Sequence, residues 1–260
     1  MNGSRVIPEH RIAVILACFV RVQIALTSLA GVWSAAQAGP QGYFCESGCR
    51  AAAAPFSLLK VQAPRAAANT PGDFDFYVLS LSWSAGFCES PDATRARRQC
   101  EAGANLGFVV HGLWPQYERG YPSDCRPAAR FASRIAVESA KGLYPDEGLA
   151  QYEWRKHGTC SGKSPTDYFA DVRRAREAVT IPTPFAAAKE KQTWTPIDVM
   201  RAFIAANSRL RPGMLGVTCK NGVLQEVRIC FSKDLRDFHV CPERSRQGCH
   251  AREISVPPFL

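Results

Sequence analysis

Ten of the eleven cysteines lie between Cys45 and Cys249, and that even count constrains this chain more than any other feature. Cys45, Cys49, Cys88, Cys100, Cys125, Cys160, Cys219, Cys230, Cys241 and Cys249 are most simply read as five disulfides formed in an oxidising compartment. Zinc is the alternative. Against it, Cys45 and Cys49 lack a second close Cys or His pair, and the 88/100 and 230/241 spacings are too wide for a ribbon-type site, so no metal is expected. Spacing alone leaves the connectivity open.

Cys18 falls in a segment of a different kind. Arg5 and Arg11 precede the apolar run Ile12 to Val20, a second apolar stretch reaches Leu29, and Ala36-Gln37-Ala38 stands before Gly39. This pattern predicts a secretory signal peptide over residues 1–38, cleaved after Ala38. A retained anchor is the competing reading, but Arg21 interrupts the run and no apolar stretch reaches the ~18 residues a membrane span needs. The protein is therefore expected to be exported, periplasmic or extracellular, with no membrane anchor after cleavage.

Lys plus Arg number 32 against 23 Asp plus Glu, a formal charge of +9. The leader carries only three arginines and one glutamate, so the basic character belongs to the mature chain and polyanions are the expected partners. With 46% hydrophobic and 21% charged residues, a disordered tail, a collagen repeat and a coiled coil are excluded. Residues 39–71, rich in Ala, Pro, Gly and Gln, read as an N-terminal arm. Residues 72–260 read as one α+β domain, with no internal repeat or second linker.

Within it, Phe74 to Trp83 alternates as a strand, with Tyr77, Leu79, Leu81 and Trp83 on one face and Phe76, Val78, Ser80 and Ser82 on the other. Leu106 to His111 and Leu224 to Phe231 are further strand candidates. Ser164-Pro165-Thr166-Asp167 and Thr195-Pro196-Ile197-Asp198 each offer a hydroxyl N-cap, Pro at the first helical position and an acid at the third, so helices should begin there. Arg130 to Gly142 is a third helix candidate, with Phe131, Ile135 and Val137 to Ala140 as its apolar stripe.

Two of the histidines sit among chemically capable neighbours. In Phe108-Val109-Val110-His111-Gly112-Leu113-Trp114-Pro115-Gln116, a strand brings His111 to its end and Gly-x-x-Pro turns the chain sharply. Trp114 and, a short loop beyond, Tyr121 could serve as base-stacking platforms. A core strand with one satisfied histidine is the bland reading. In Tyr152-Glu153-Trp154-Arg155-Lys156-His157-Gly158-Thr159-Cys160, a helix would place Glu153, Lys156 and His157 on one face, turn Trp154 to the core and stop at Gly158. A salt-bridged helix end is the bland reading there. His239 and His250 read as structural or exposed, and the short arginine runs Arg95 to Arg98, Arg173 to Arg176 and Arg209 to Arg211 as solvated faces.

Together, two histidines, a lysine and a glutamate suit metal-independent RNA cleavage. One imidazole takes the proton from a ribose 2′-OH, the oxygen attacks phosphorus, and the other imidazole protonates the departing 5′-oxygen, leaving a cyclic phosphate. Lys156 would offset charge on the phosphoryl oxygens, and Glu153 would bond the phosphoryl group or position a neighbour. DNA, lacking the 2′-OH, should not be cleaved. No Gly-rich phosphate loop is present, so no nucleotide cofactor is expected.

His111-Gly112-Leu113-Trp114-Pro115 and Glu153-Trp154-Arg155-Lys156-His157-Gly158-Thr159-Cys160 resemble the two active-site signatures of the ribonuclease T2 family of secreted endoribonucleases, with the likeness running over roughly residues 72 to 250. The resemblance implies an antiparallel sheet flanked by helices, single-stranded RNA as substrate, a monomer without cofactor, His157 as general base and His111 as general acid. It also implies Lys156 and Glu153 at the phosphorane, and Trp114, Gln116 and Tyr121 along a base site. Cys88 would pair with Cys100, Cys125 with Cys160, Cys219 with Cys249 and Cys230 with Cys241, leaving Cys45 to Cys49. Gln116 stands where fungal members carry an Asp. Tyr152 replaces a phosphate-holding histidine of many members, and its hydroxyl is expected to serve as a donor. A secreted RNA-binding or effector protein on the same fold is the alternative function.

Overall fold

The computed structural model describes residues 69–91, 93, 98–127, 129–242 and 248–260. The expected leader, most of the N-terminal arm and the Cys45 and Cys49 pair lie outside these described residues. Six strands form one sheet: β1 (Phe76–Trp83), β2 (Phe108–Gln116), β3 (Gln192–Trp194), β4 (Leu215–Lys220), β5 (Val223–Ser232) and β6 (Ile254–Val256), in the order β2-β1-β5-β6-β3 with β4 also paired to β5. Pairing is antiparallel except for a single parallel contact, Val223 with Ser255. The helices are α1 (Ser84–Cys88), α2 (Arg134–Ser139), α3 (Glu147–Lys156), α4 (Pro165–Glu177), α5 (Thr183–Ala186) and α6 (Pro196–Ala206). None of the described helices is long and apolar enough to cross a membrane. The architecture is the expected α+β.

The alternation along β1 sorts the sheet into two faces. Tyr77, Leu79, Leu81 and Trp83 enter the main core, where they meet Val227 and Ile229 of β5, Tyr168, Phe169 and Val172 of α4, and Val199 and Phe203 of α6. Burying such side chains stabilises the fold by about 1.5–3 kcal/mol each relative to exposure. Phe76 and Val78 point the other way, into a small cluster with Cys230 and Cys241 that Trp114 covers. His239 stacks on Phe76 at 5.1 Å between ring centroids, and its Nε2 lies 3.5 Å from Glu118.

The hydroxyl caps set two helix starts. Ser164 accepts a hydrogen bond from the Asp167 N–H and Thr195 from the Asp198 N–H, and Pro follows each, so α4 and α6 begin where the sequence places them. The helix expected from Arg130 starts later. Ser133 caps the Ala136 N–H, so α2 covers only Arg134–Ser139, and its buried face is Ala136 and Val137. Phe131 and Ile135, expected in that stripe, are exposed.

Among the described residues four disulfides tie the periphery to this frame: Cys88–Cys100, Cys125–Cys160, Cys219–Cys249 and Cys230–Cys241. Losing one native bridge commonly costs about 2–5 kcal/mol.

Candidate active site

His111 does not end its strand. β2 continues to Gln116, with Pro115 tolerated because β2 lies at the sheet edge. In the pairing with β1, Ser80 faces Gly112 and Leu81 faces Val110, which leaves His111 as the extra residue of a bulge. The bulge reverses the alternation. Val110 and Leu113, three apart, both enter the main core, and His111 and Trp114, also three apart, meet edge to face at 5.2 Å. The sharp turn expected from Gly-x-x-Pro is absent because the ladder to β1 holds the whole segment extended.

Gly112 serves close approach. A Cβ there would lie 2.1 Å from Glu153 Oε2 and 2.2 Å from Trp114 Nε1. Only its absence lets α3 deliver Glu153 against β2, where Trp114 Nε1–H donates to Glu153 Oε2 at 2.7 Å.

Asp146 caps α3 through the Leu149 N–H, and the helix ends at Lys156 with His157 as its cap. Gly158 is therefore not the stop; it opens the 3₁₀ turn Gly158–Ser161. A Cβ at Gly158 would collide with the rings of Trp154 and Tyr168, at 2.5 and 2.9 Å, so space requires the glycine there. Trp154 is fully buried in the core, as the helical reading requires. Glu153 and Lys156 part company: Glu153 is 1% exposed beneath His111, and Lys156 reaches out to Asp124, Nζ to Oδ2 2.5 Å. The Asp124 N–H also bonds the Lys156 carbonyl at 2.9 Å, and Cys125–Cys160 fastens the same loop.

Both imidazoles pack against one indole. His157 lies 5.4 Å from Trp114, centroid to centroid, while His111 meets the same ring from its edge. Their surroundings differ sharply. His111 Nδ1–H donates to Glu226 Oε1 at 2.5 Å, and Nε2 faces Glu153 Oε1 at 3.7 Å. Burial alone would lower its pKa, but the hydrogen bond and charge of Glu226, with Glu153, raise it above the ordinary histidine value. The buried His157 Nδ1 has no hydrogen-bond partner among the described residues. Burial, then the charges of His111 and Lys156, push His157 down to about 4 despite Asp124. Glu153 is pushed up to about 7 by burial, against the pull of His111 and Trp114. Glu226 stays near 2: burial would raise it, but His111 and Arg228 outweigh that. The Asp124 hydrogen bond raises Lys156.

Sequence reasoning missed Glu226, Arg228 and Asp124. Arg228 donates its Nε–H to Glu226 Oε2 at 2.8 Å, sets Nη2 2.6 Å from the same oxygen, and lies 5.3 Å from the Trp114 centroid. Of the expected base-site residues, Gln116 turns its amide to the Pro115 carbonyl at 3.0 Å. Tyr121 and Tyr152 are exposed, close enough to Lys156 for their phenols to act on its charge. Elsewhere two of the arginine runs bond the backbone: Arg173 bonds the Ser139 and Lys141 carbonyls, Arg176 that of Val179 and Arg211 that of Ser208, while Arg95 and Arg97 of the third run lie outside the described residues.

Known proteins share this arrangement of strands and helices. RNase-related protein from Calystegia sepium superposes with a TM-score of 0.54 at 23% identity, over 72% of this chain and 98% of that one. RNase NT, solved in complex with 5′-AMP, gives 0.52 at 22% identity, over 72% and 100%. In sequence, a ribonuclease of Aeromonas hydrophila is 36% identical over 215 residues, 80% of this chain and 92% of the relative. Ribonuclease 1 of Arabidopsis thaliana is 32% identical over 218 residues, 74% and 90% of the two chains. The model of the Ribonuclease T2 family matches residues 74–241, and on these grounds the chain belongs to the ribonuclease T2 family of endoribonucleases.

Proposed function

We propose that this chain cleaves single-stranded RNA by metal-independent transesterification and releases 2′,3′-cyclic phosphate ends. The observation that carries the reading is the pair of imidazoles on one indole with opposite electrostatic surroundings. His157, neutral above about pH 4, takes the 2′-OH proton. The 2′-oxygen attacks phosphorus, and His111, kept charged by its carboxylate neighbours, gives its proton to the departing 5′-oxygen. His157 ends protonated and His111 neutral; exchange with solvent restores both.

Charge growing on the phosphoryl oxygens is met by the Lys156 ammonium. Glu153, buried beneath His111 and bonded by the Trp114 Nε1–H, positions its neighbours at the phosphate. With both proton transfers and the charge assigned to side chains, no step requires a metal ion. Tyr121, exposed near Lys156, offers a stacking face to a base beside the scissile bond, and the exposed Tyr152 offers its hydroxyl as a donor. The leader over 1–38 and the disulfide framework support export to a periplasm or the medium, with 39–71 as an arm, 72–260 as the catalytic domain and a monomer as the working form.

The signs fix the pH dependence. A general base works above its pKa and a general acid below its own, so kcat/KM should rise through about pH 4 and fall above the ordinary histidine range. The test is product analysis on single-stranded RNA in EDTA. The expected result is cyclic phosphate ends from the wild type, intact DNA and 2′-O-methyl RNA, and a rate about 100 to 10,000-fold lower for His157→Ala. Cleavage that stops in EDTA would contradict the scheme, and a folded, oxidised protein that binds RNA without cutting it would favour the effector reading.

A further inference from the structure

Glu226 and Arg228 stand two apart on β5 and therefore share a face, the one onto which the β2 bulge turns His111. We propose that they form a positioning pair that holds the His111 imidazole as a charged proton donor aimed at the leaving oxygen. The proposal rests on the reading of His111 as general acid and extends it to two residues that never touch the phosphate.

The two oxygens of Glu226 divide the work. Oε1 takes the His111 Nδ1–H, which fixes the ring plane and leaves Nε2 as the nitrogen facing Glu153 and the cleft. Oε2 takes the Arg228 Nε–H and pairs with its charge. The Glu226 side chain is only 10% exposed, and a buried carboxylate without a partner would neutralise itself. Here it has two partners, His111 on one oxygen and Arg228 on the other. The Arg228 guanidinium is held in turn against Trp114, the ring that both imidazoles contact, so the pair is locked into the site from two sides.

The two members act on His111 with opposite sign. The carboxylate favours the charged ring, and the guanidinium on its other oxygen disfavours it. The other groups bearing on His111 are Glu153 from α3, which favours the charged ring, and His157 at the α3 cap. Lys156 and Asp124 form an ion pair of their own beyond His157.

The experiment follows kcat/KM against pH, and the His111 ring protons by NMR in the free enzyme, for the wild type, Glu226→Gln and Arg228→Met. Glu226→Gln should move the alkaline limb and the His111 midpoint toward acid by about one pH unit or more. Arg228→Met should move both toward alkali, and the acid limb should stay with His157 in each. Midpoints that stay in place, or that move in the same direction in both variants, would overturn the proposal. Should Glu226→Gln fail to fold, the direction seen in Arg228→Met decides alone. A fully active His111→Ala would instead sink the general-acid reading, so the two failures are distinct.

Discussion

The two faces of the sheet obey different rules. On the core face β1 and β5 contribute Tyr77, Leu79, Leu81, Trp83, Val227 and Ile229 to an apolar layer closed by α4 and α6. On the other face the same strands carry Ser80, Ser82, Glu226 and Arg228, with Ser80, Ser82 and Glu226 buried and the Ser80 hydroxyl lacking a partner among the described residues. Local consistency of pattern, propensity and polar satisfaction specifies a fold, and a region that departs from it costs stability. Here the departures converge on His111: a bulge in the edge strand, a carboxylate pushed up to about 7 and a second one held near 2. The core face supplies the stability that lets the opposite face hold charges in place.

That division can be tested from either side. The largest expected effect on the core face comes from Phe203→Ala, which removes a fully buried ring packed 5.5 Å from Phe108 and 6.0 Å from Phe185. It should cost about 3–5 kcal/mol in urea unfolding and leave kcat/KM of the folded fraction unchanged. A large change in the pH profile of this variant would mean that the two faces are coupled. Gly112→Ala attacks the junction instead. The new methyl must displace Glu153 or Trp114, and a misplacement of about 1 Å can cost about 100-fold in rate. Stability should fall by less than in Phe203→Ala, and equal activity would show that Glu153 has no fixed place in the reaction.

Much of this was readable from the chain because its causes are local. Ser164 and Thr195 announce their helices through side chains that bond the backbone three residues on, and β1 announces its two faces by alternation. Glu153 and His157 lie one turn apart, so a helix alone carries both to Trp114, while Lys156 between them turns out to Asp124. The rest depends on register. Glu226 lies 115 positions from His111, and nothing in Leu224 to Phe231 marks it out from a core strand until β5 is paired with β1 and β1 with β2. The bulge at His111 hides for the same reason, since a strand read alone shows no extra residue. Asp124 reaches Lys156 through a loop that Cys125–Cys160 fastens. β3, at three residues, and β6, also three, are too short to leave a periodic trace, and Phe131 and Ile135 mimic a buried stripe while lying in the open.

The central claim is that one indole holds two imidazoles in opposite roles, base at His157 and acid at His111. It is tested most directly by the rates of His111→Ala and His157→Ala on uridine 3′-(p-nitrophenyl phosphate), whose leaving group departs without a proton. If the assignment holds, His111→Ala recovers most of the wild-type rate on this substrate and His157→Ala remains about 100 to 10,000-fold slow. Recovery by His157→Ala with His111→Ala still slow would reverse the two roles and contradict the account.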